Sequence, residues 1–184
     1  MENLYANGVR ILRPNEVTKL LSAIPKEDNK AKFEVMLYTG ARYSEIKALF
    51  DHPRWFNGVS IDMPNTKYLV MKHIKSRNIR LNPQGQRAIN QYLYRCKHGM
   101  PHYSNWFKDL HRWCDIALLD SDGVGIKTTR KTWESWLVKH YESKTLHILS
   151  SMGHTQATAL QHYLNLGFST EDINQMKIFV DGWV

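Results

Sequence analysis

Apolar side chains recur at helical spacing through most of this chain, and that spacing confines it to a largely helical fold. Val17, Leu20, Leu21 and Ile24 share one face of a helix opened by Arg13-Pro14-Asn15 and ended by Pro25. Proline suits a first helical turn, where its missing N–H would have no partner anyway. A second helix is expected over 31–38 with Gly40 at its end, and a third starts near Tyr43 and buries Ile46, Leu49 and Phe50. Ala88, Ile89 and Leu93 point inward from a helix over 84–95. On 105–119, Trp106, Leu110, Trp113, Cys114 and Ala117 form one stripe, the pattern of a core face rather than of a base-stacking surface. Trp133, Trp136 and Leu137 lie on a helix over 128–140, and a short helix over 145–152 is closed by Gly153. Thr155 caps a helix carrying Leu160, Tyr163 and Leu164. A last helix starts at Ser169-Thr170-Glu171-Asp172 and has Ile173, Met176 and Val180 apolar.

The helical pattern breaks once. Strand signals occupy 59–61, 67–74 and 78–81, with Pro64-Asn65 and Lys75-Ser76-Arg77 as turns. The expected class is therefore α+β, mainly α, with a small three-stranded antiparallel sheet. Residues 1–12 are expected as a strap leading into the domain, and 51–58, 96–104 and 120–125 as loops. The last of these is too poor in ligands for a calcium loop.

A chain of 184 residues fits one domain with a sizeable core, and 42% apolar residues mark it as globular. No apolar run approaches the ~18 residues of a membrane span, and the start, MENLYANGVRILRP, lacks the apolar stretch of a signal peptide. Cys96 and Cys114 lack metal-ligand spacing and are expected as reduced thiols of a cytoplasmic protein. A net charge of +8 with a pI near 9.5 favours a polyanionic partner, most simply nucleic acid.

Within this frame the stretch 127–163, KTTRKTWESWLVKHYESKTLHILSSMGHTQATALQHY, concentrates chemistry. Lys127 and Arg130 stand one helical turn apart, His154 follows a helix-stopping glycine, and Tyr163 lies nine positions further on. Upstream, Thr39-Gly40-Ala41-Arg42 places a second arginine in a tight turn between two helices, with Glu45 one turn later. Two arginines, a histidine and a tyrosine suit attack of a phenol on a phosphodiester. Guanidinium groups are planar, always charged and bidentate toward phosphate oxygens. Fixed cations of this kind stabilise the extra negative charge that develops on phosphorus, so no metal or cofactor is called for.

The ordered set resembles the catalytic domain of tyrosine recombinases, or integrases, over roughly residues 13–165. The archaeal and viral type is nearest, because Lys127 stands where most members carry histidine. The resemblance implies a domain that cuts and rejoins double-stranded DNA through a 3′-phosphotyrosyl intermediate. It implies Arg42 and Arg130 as the phosphate clamp, His154 as donor to a non-bridging oxygen and Tyr163 as nucleophile. His162 and Tyr141 are set aside as nucleophiles, Tyr141 for lying too close to Arg130. Glu45 would orient Arg42.

The general acid would be a lysine of the turn between the second and third strands. Lys75 and Lys72 both qualify; Lys75 is preferred for its place at the apex and its distance from Pro83. Lys127 can bond a phosphate oxygen and lower the phenol's pKa, but is no neutral base near pH 7 unless strongly desolvated. Lys72, Arg77, Arg80 and Lys131 are expected DNA-backbone contacts. The family implies self-association on DNA as a dimer or tetramer, and an N-terminal core-binding domain that this stretch lacks, as in a piece of a longer integrase or a minimal recombinase. The rival readings are a catalytically silent DNA-binding relative and a type IB topoisomerase-like enzyme.

Overall fold

The structure is a computed structural model that describes residues 2–64, 76–154 and 166–183. Helix α6 (Thr128–His140) is its axis. The side chains from Thr128 to Val138 are buried, except that of Lys131. A helix buried on all sides needs neighbours on all sides. They are α2 (Glu27–Thr39), the strand β2 (Val9–Ile11), α7 (Thr145–Met152) and the C-terminal helix α8 (Thr170–Val180). Trp133 and Trp136 are fully buried at this axis.

Around the axis, α1 (Pro14–Ala23) packs on α8 and on α5 (Tyr103–Ile116), while α4 (Pro83–Arg95) packs on α2. α3 (Tyr43–Asp51) follows α2 after a tight turn. On α5 the expected stripe is the buried face: Trp106, Trp113 and Cys114 are completely enclosed, and the two indoles meet edge to face at 5.3 Å. Both cysteines are free and buried, and burial pushes the Cys114 thiol up to about 11. No helix among the described residues is long and apolar enough to cross a membrane.

The strap expected over residues 1–12 contains a hairpin: β1 (Leu4–Ala6) runs antiparallel to β2, turned at Asn7-Gly8 with both residues left-handed. The chain beyond it is stitched to the axis: Leu12 N donates to Thr132 Oγ1 at 3.0 Å, and Trp136 Nε1 donates to Leu12 O at 3.1 Å. The expected antiparallel sheet is present in part. β3 (Ser60–Met63) and β4 (Arg77–Arg80) pair directly, Ser60 opposite Arg80 and Met63 opposite Arg77. The described sheet is thus two-stranded, and the expected strand over 67–74 lies outside the described residues.

The tail folds back in cis. Met176 and Val180 are fully buried, and Arg13 at the start of α1 makes a buried ion pair with Asp172 in the first turn of α8. Ser169 caps α8 through the Asp172 N–H, and the Asp172 carboxylate accepts from the Ser169 N–H. Tyr141 also belongs to this packing, because its hydroxyl donates to Val180 O at 3.0 Å.

Candidate phosphodiester site

The turn between α2 and α3 is built for rigidity. Gly40 ends α2 with φ 57, a left-handed value that glycine adopts without strain. A Cβ at this position would stand 2.5 Å from Met152 Cε and 2.8 Å from Trp133 Cδ1. Thr39 Oγ1 accepts from Ala41 N at 3.1 Å, which closes the turn from inside. Arg42 then serves as the N-cap of α3.

Glu45, one turn into α3, takes three jobs. Its carboxylate accepts from Arg42 N at 2.6 Å and Arg42 Nη1 at 2.8 Å. It also accepts both Nη groups of Arg77 at 2.7 Å each. Burial pushes its carboxyl up, but the hydrogen bonds and charge of Arg77, then of Arg42, outweigh burial and hold its pKa at about 2. The expected Glu45–Arg42 pair is therefore present.

Arg77 departs from its expected place as a DNA contact. It is turned inward, its side chain 13% exposed, and its Nε donates to Ser151 O at 3.0 Å. Its donors serve Glu45 and the end of α7, so it buttresses the site from below. Arg80 keeps an exposed side chain, while its backbone N–H donates to Ser151 Oγ.

Arg130 rises from the first turn of α6 into the same region. It is nearly buried; Nη1 donates to Gly40 O at 2.6 Å and Nη2 to Met152 O at 2.5 Å. It thereby joins the ends of α2 and α7. Burial first, then the charge of Arg42, lowers its pKa to about 10, which leaves it protonated near neutrality. Gly153 closes α7 with φ 68, and His154 follows with its Nε2 2.8 Å from Arg130 Nη2. The other ring nitrogen, Nδ1, lies 2.5 Å from Glu134 Oε1.

These groups share one cleft of about 510 Å³, lined by Arg42, Tyr43, Ser44, Tyr103, Ile126, Lys127, Arg130, Lys131 and His154. Five of the nine carry or accept positive charge. Lys127 is exposed at the rim; Lys131 is half-buried, and burial lowers its pKa. Two tyrosines line the wall. Tyr43 is committed, its hydroxyl donating to Pro101 O at 2.6 Å and its pKa pushed up to about 12 by burial, whereas Tyr103 is largely exposed.

Arg42, Lys127, Arg130, His154 and Lys131, scattered along the sequence, are thus brought together, with Glu45 beneath them. Lys72, Lys75 and Tyr163 lie outside the described residues. Two residues of the site were not expected from sequence: Arg77 as buried partner of Glu45, and Glu134 as partner of His154. Glu134 left a trace, an acid between the two tryptophans of Trp133-Glu134-Ser135-Trp136. Among the described residues no group of three or more His, Cys, Asp or Glu side chains is placed to hold a metal ion. Comparison with protein-family models, with curated proteins and with solved structures returned no match.

Proposed function

We propose that this chain is the strand-cleaving domain of a site-specific DNA recombinase of the tyrosine type. The observation that carries the reading is the convergence of Arg42, Arg130, His154 and Lys127 on one cleft. A cleft with fixed guanidinium groups and few acids at its surface suits the equatorial oxygens of a phosphodiester under attack. The net charge of +8 suits a duplex as the partner.

In this reading the phenolic oxygen of Tyr163 attacks phosphorus, and the bond to the 5′ oxygen breaks. The leaving oxygen takes a proton from Lys75, or from Lys72, and the phenol's proton passes to solvent or to the phosphate. The 3′-phosphotyrosyl bond keeps the energy of the diester, so a 5′ hydroxyl reverses the step and rejoins the strand. Arg42 and Arg130 bind non-bridging oxygens. Lys127 adds positive charge beside the phenol, whose unperturbed pKa is about 10. The protein works on double-stranded DNA in the host cytoplasm or nucleoid and self-associates there.

A nicked duplex that loses a short 5′-hydroxyl fragment on cleavage traps the covalent state. With a chelator present, wild type is expected to yield a protein–DNA band on a denaturing gel, and Tyr163→Phe none. Duplex binding without any adduct from wild type would contradict the proposal and leave a DNA-binding module.

A further inference from the structure

His154 is held from both sides. Arg130 Nη2 stands 2.8 Å from Nε2, and Glu134 Oε1 stands 2.5 Å from Nδ1. A guanidinium only donates, so Nε2 must accept and carries no proton. The ring's proton therefore sits on Nδ1, where the carboxylate accepts it. Both contacts agree on a single state, the neutral Nδ1–H tautomer. In that state His154 has no donor for a phosphate oxygen.

Glu134 is completely buried on α6, one helical turn after Arg130. A buried carboxylate is costly unless it is paired. Here it meets Nδ1 of His154, a residue that lines the cleft. The other charged groups around that ring are mostly cations: Arg130, Lys127 and Lys131 from α6 and its start, Arg42 from the start of α3, and Arg77 against Gly153. Glu45 beneath them is already paired with Arg42 and Arg77.

We propose that Glu134 is a positioning residue for strand cleavage: it aims Nε2 of His154 into the cleft, fixes the neutral Nδ1–H tautomer in the free protein, and holds the imidazolium once a phosphodiester replaces Arg130 at Nε2. The inference rests on the reading of the cleft as a phosphodiester site. On binding, Arg130 Nη2 turns from the ring to a phosphate oxygen, and Nε2 takes one proton from solvent. The new N–H donates to a non-bridging oxygen, while Glu134 supplies the balancing negative charge across the ring. Carboxylates orient metal-bound histidines in this way, and their loss there costs about 10- to 100-fold; a loss of the same order is expected here.

The test separates orientation from charge. Glu134→Gln keeps an acceptor oxygen for Nδ1–H but removes the charge; Glu134→Ala removes both. Long-range proton–nitrogen NMR on histidine-labelled protein, with the His154 signal assigned through His154→Gln, reads the tautomer directly. Wild type and Glu134→Gln are expected to show Nδ1–H, and Glu134→Ala a mixture. Single-turnover adduct formation by Glu134→Gln is expected to fall about 10- to 100-fold.

An Nε2–H tautomer in wild type, or a Glu134→Gln rate equal to wild type, would overturn the proposal. Should Glu134→Ala fail to fold, those two readouts still decide. If wild type itself forms no adduct, the recombinase reading fails, and the tautomer spectra still judge the hold of Glu134 on His154.

Discussion

Arg42 and Arg130 present charge to one cleft from opposite surroundings, and under the proposed function that difference should separate effects on cleavage from effects on stability. The side chain of Arg42 is 48% exposed, whereas Arg130 is 7% exposed and bonds two backbone carbonyls. Removing either cation from the transition state should slow adduct formation by about 10²–10³-fold. Arg42→Ala should do so with little change in melting temperature. Arg130→Ala should also strand Gly40 O and Met152 O, at about 1–3 kcal/mol for each buried group left unpaired. Single-turnover cleavage and thermal melts on both variants check this split. Glu45 gives a pH signature. Its folded pKa of about 2 lies below the ordinary carboxylate value near 4.3. Its contribution is therefore present in full above that ordinary value and is lost as pH falls toward 2. Denaturant titrations should show wild type losing stability across that window. Glu45→Gln, less stable at neutral pH, should lose less over the same window. The residue-scale site was only half legible in the sequence. Arg42, Lys127, Arg130 and His154 stood out through local patterns. Arg77 and Glu134 did not, because each takes its role from a partner 32 or 20 residues away.

At the scale of elements, the turn from α2 into α3 is where packing and chemistry are joined. Gly40 provides a left-handed turn, room for Met152 and Trp133, and the carbonyl that Arg130 holds. Gly40→Ala should cost at least the ~1–3 kcal/mol of a strained left-handed residue, and more for the overlap with Met152. A melt should record the loss of stability, and the cleavage rate should fall with it because Arg130 loses its anchor. Helices α3, α6 and α7 were legible within a residue or so, because apolar period and terminators coincide at Tyr43, Thr128 and Gly153. α2 begins at Glu27, earlier than apolar period alone suggests, since its first turn is polar and suited to the helix dipole. The β1–β2 hairpin was not legible. Its strands are three residues each, and what holds them is distant: α6, and the backbone of Gly123, whose carbonyl accepts from Arg10 N at 2.9 Å.

The whole molecule is a helical body wound on α6 and closed by its own C-terminal helix. The Arg13–Asp172 pair and the seat of Trp183 on Arg80 O tie that helix to the start of the domain and to the sheet beside the site. Breaking a buried ion pair from one side costs about 3–5 kcal/mol, so Asp172→Ala should lower the melting temperature strongly although it lies on a different helix from every cleft residue. The molecule's positive charge should make duplex affinity fall steeply with salt, with a log–log slope of about −0.9 for each phosphate neutralised. The proposed function stands on a covalent bond between DNA and Tyr163, and that bond can be mapped. The trapped adduct would be digested with nuclease and trypsin and the nucleotide-bearing peptide identified by mass spectrometry. Trypsin releases residues 145–177 as one peptide, in which Tyr163 is the only tyrosine, and residues 98–108 as another, in which Tyr103 is the only one. The nucleotide is expected on 145–177. A nucleotide on 98–108, from the exposed tyrosine already lining the cleft, would show that Tyr163 is not the nucleophile.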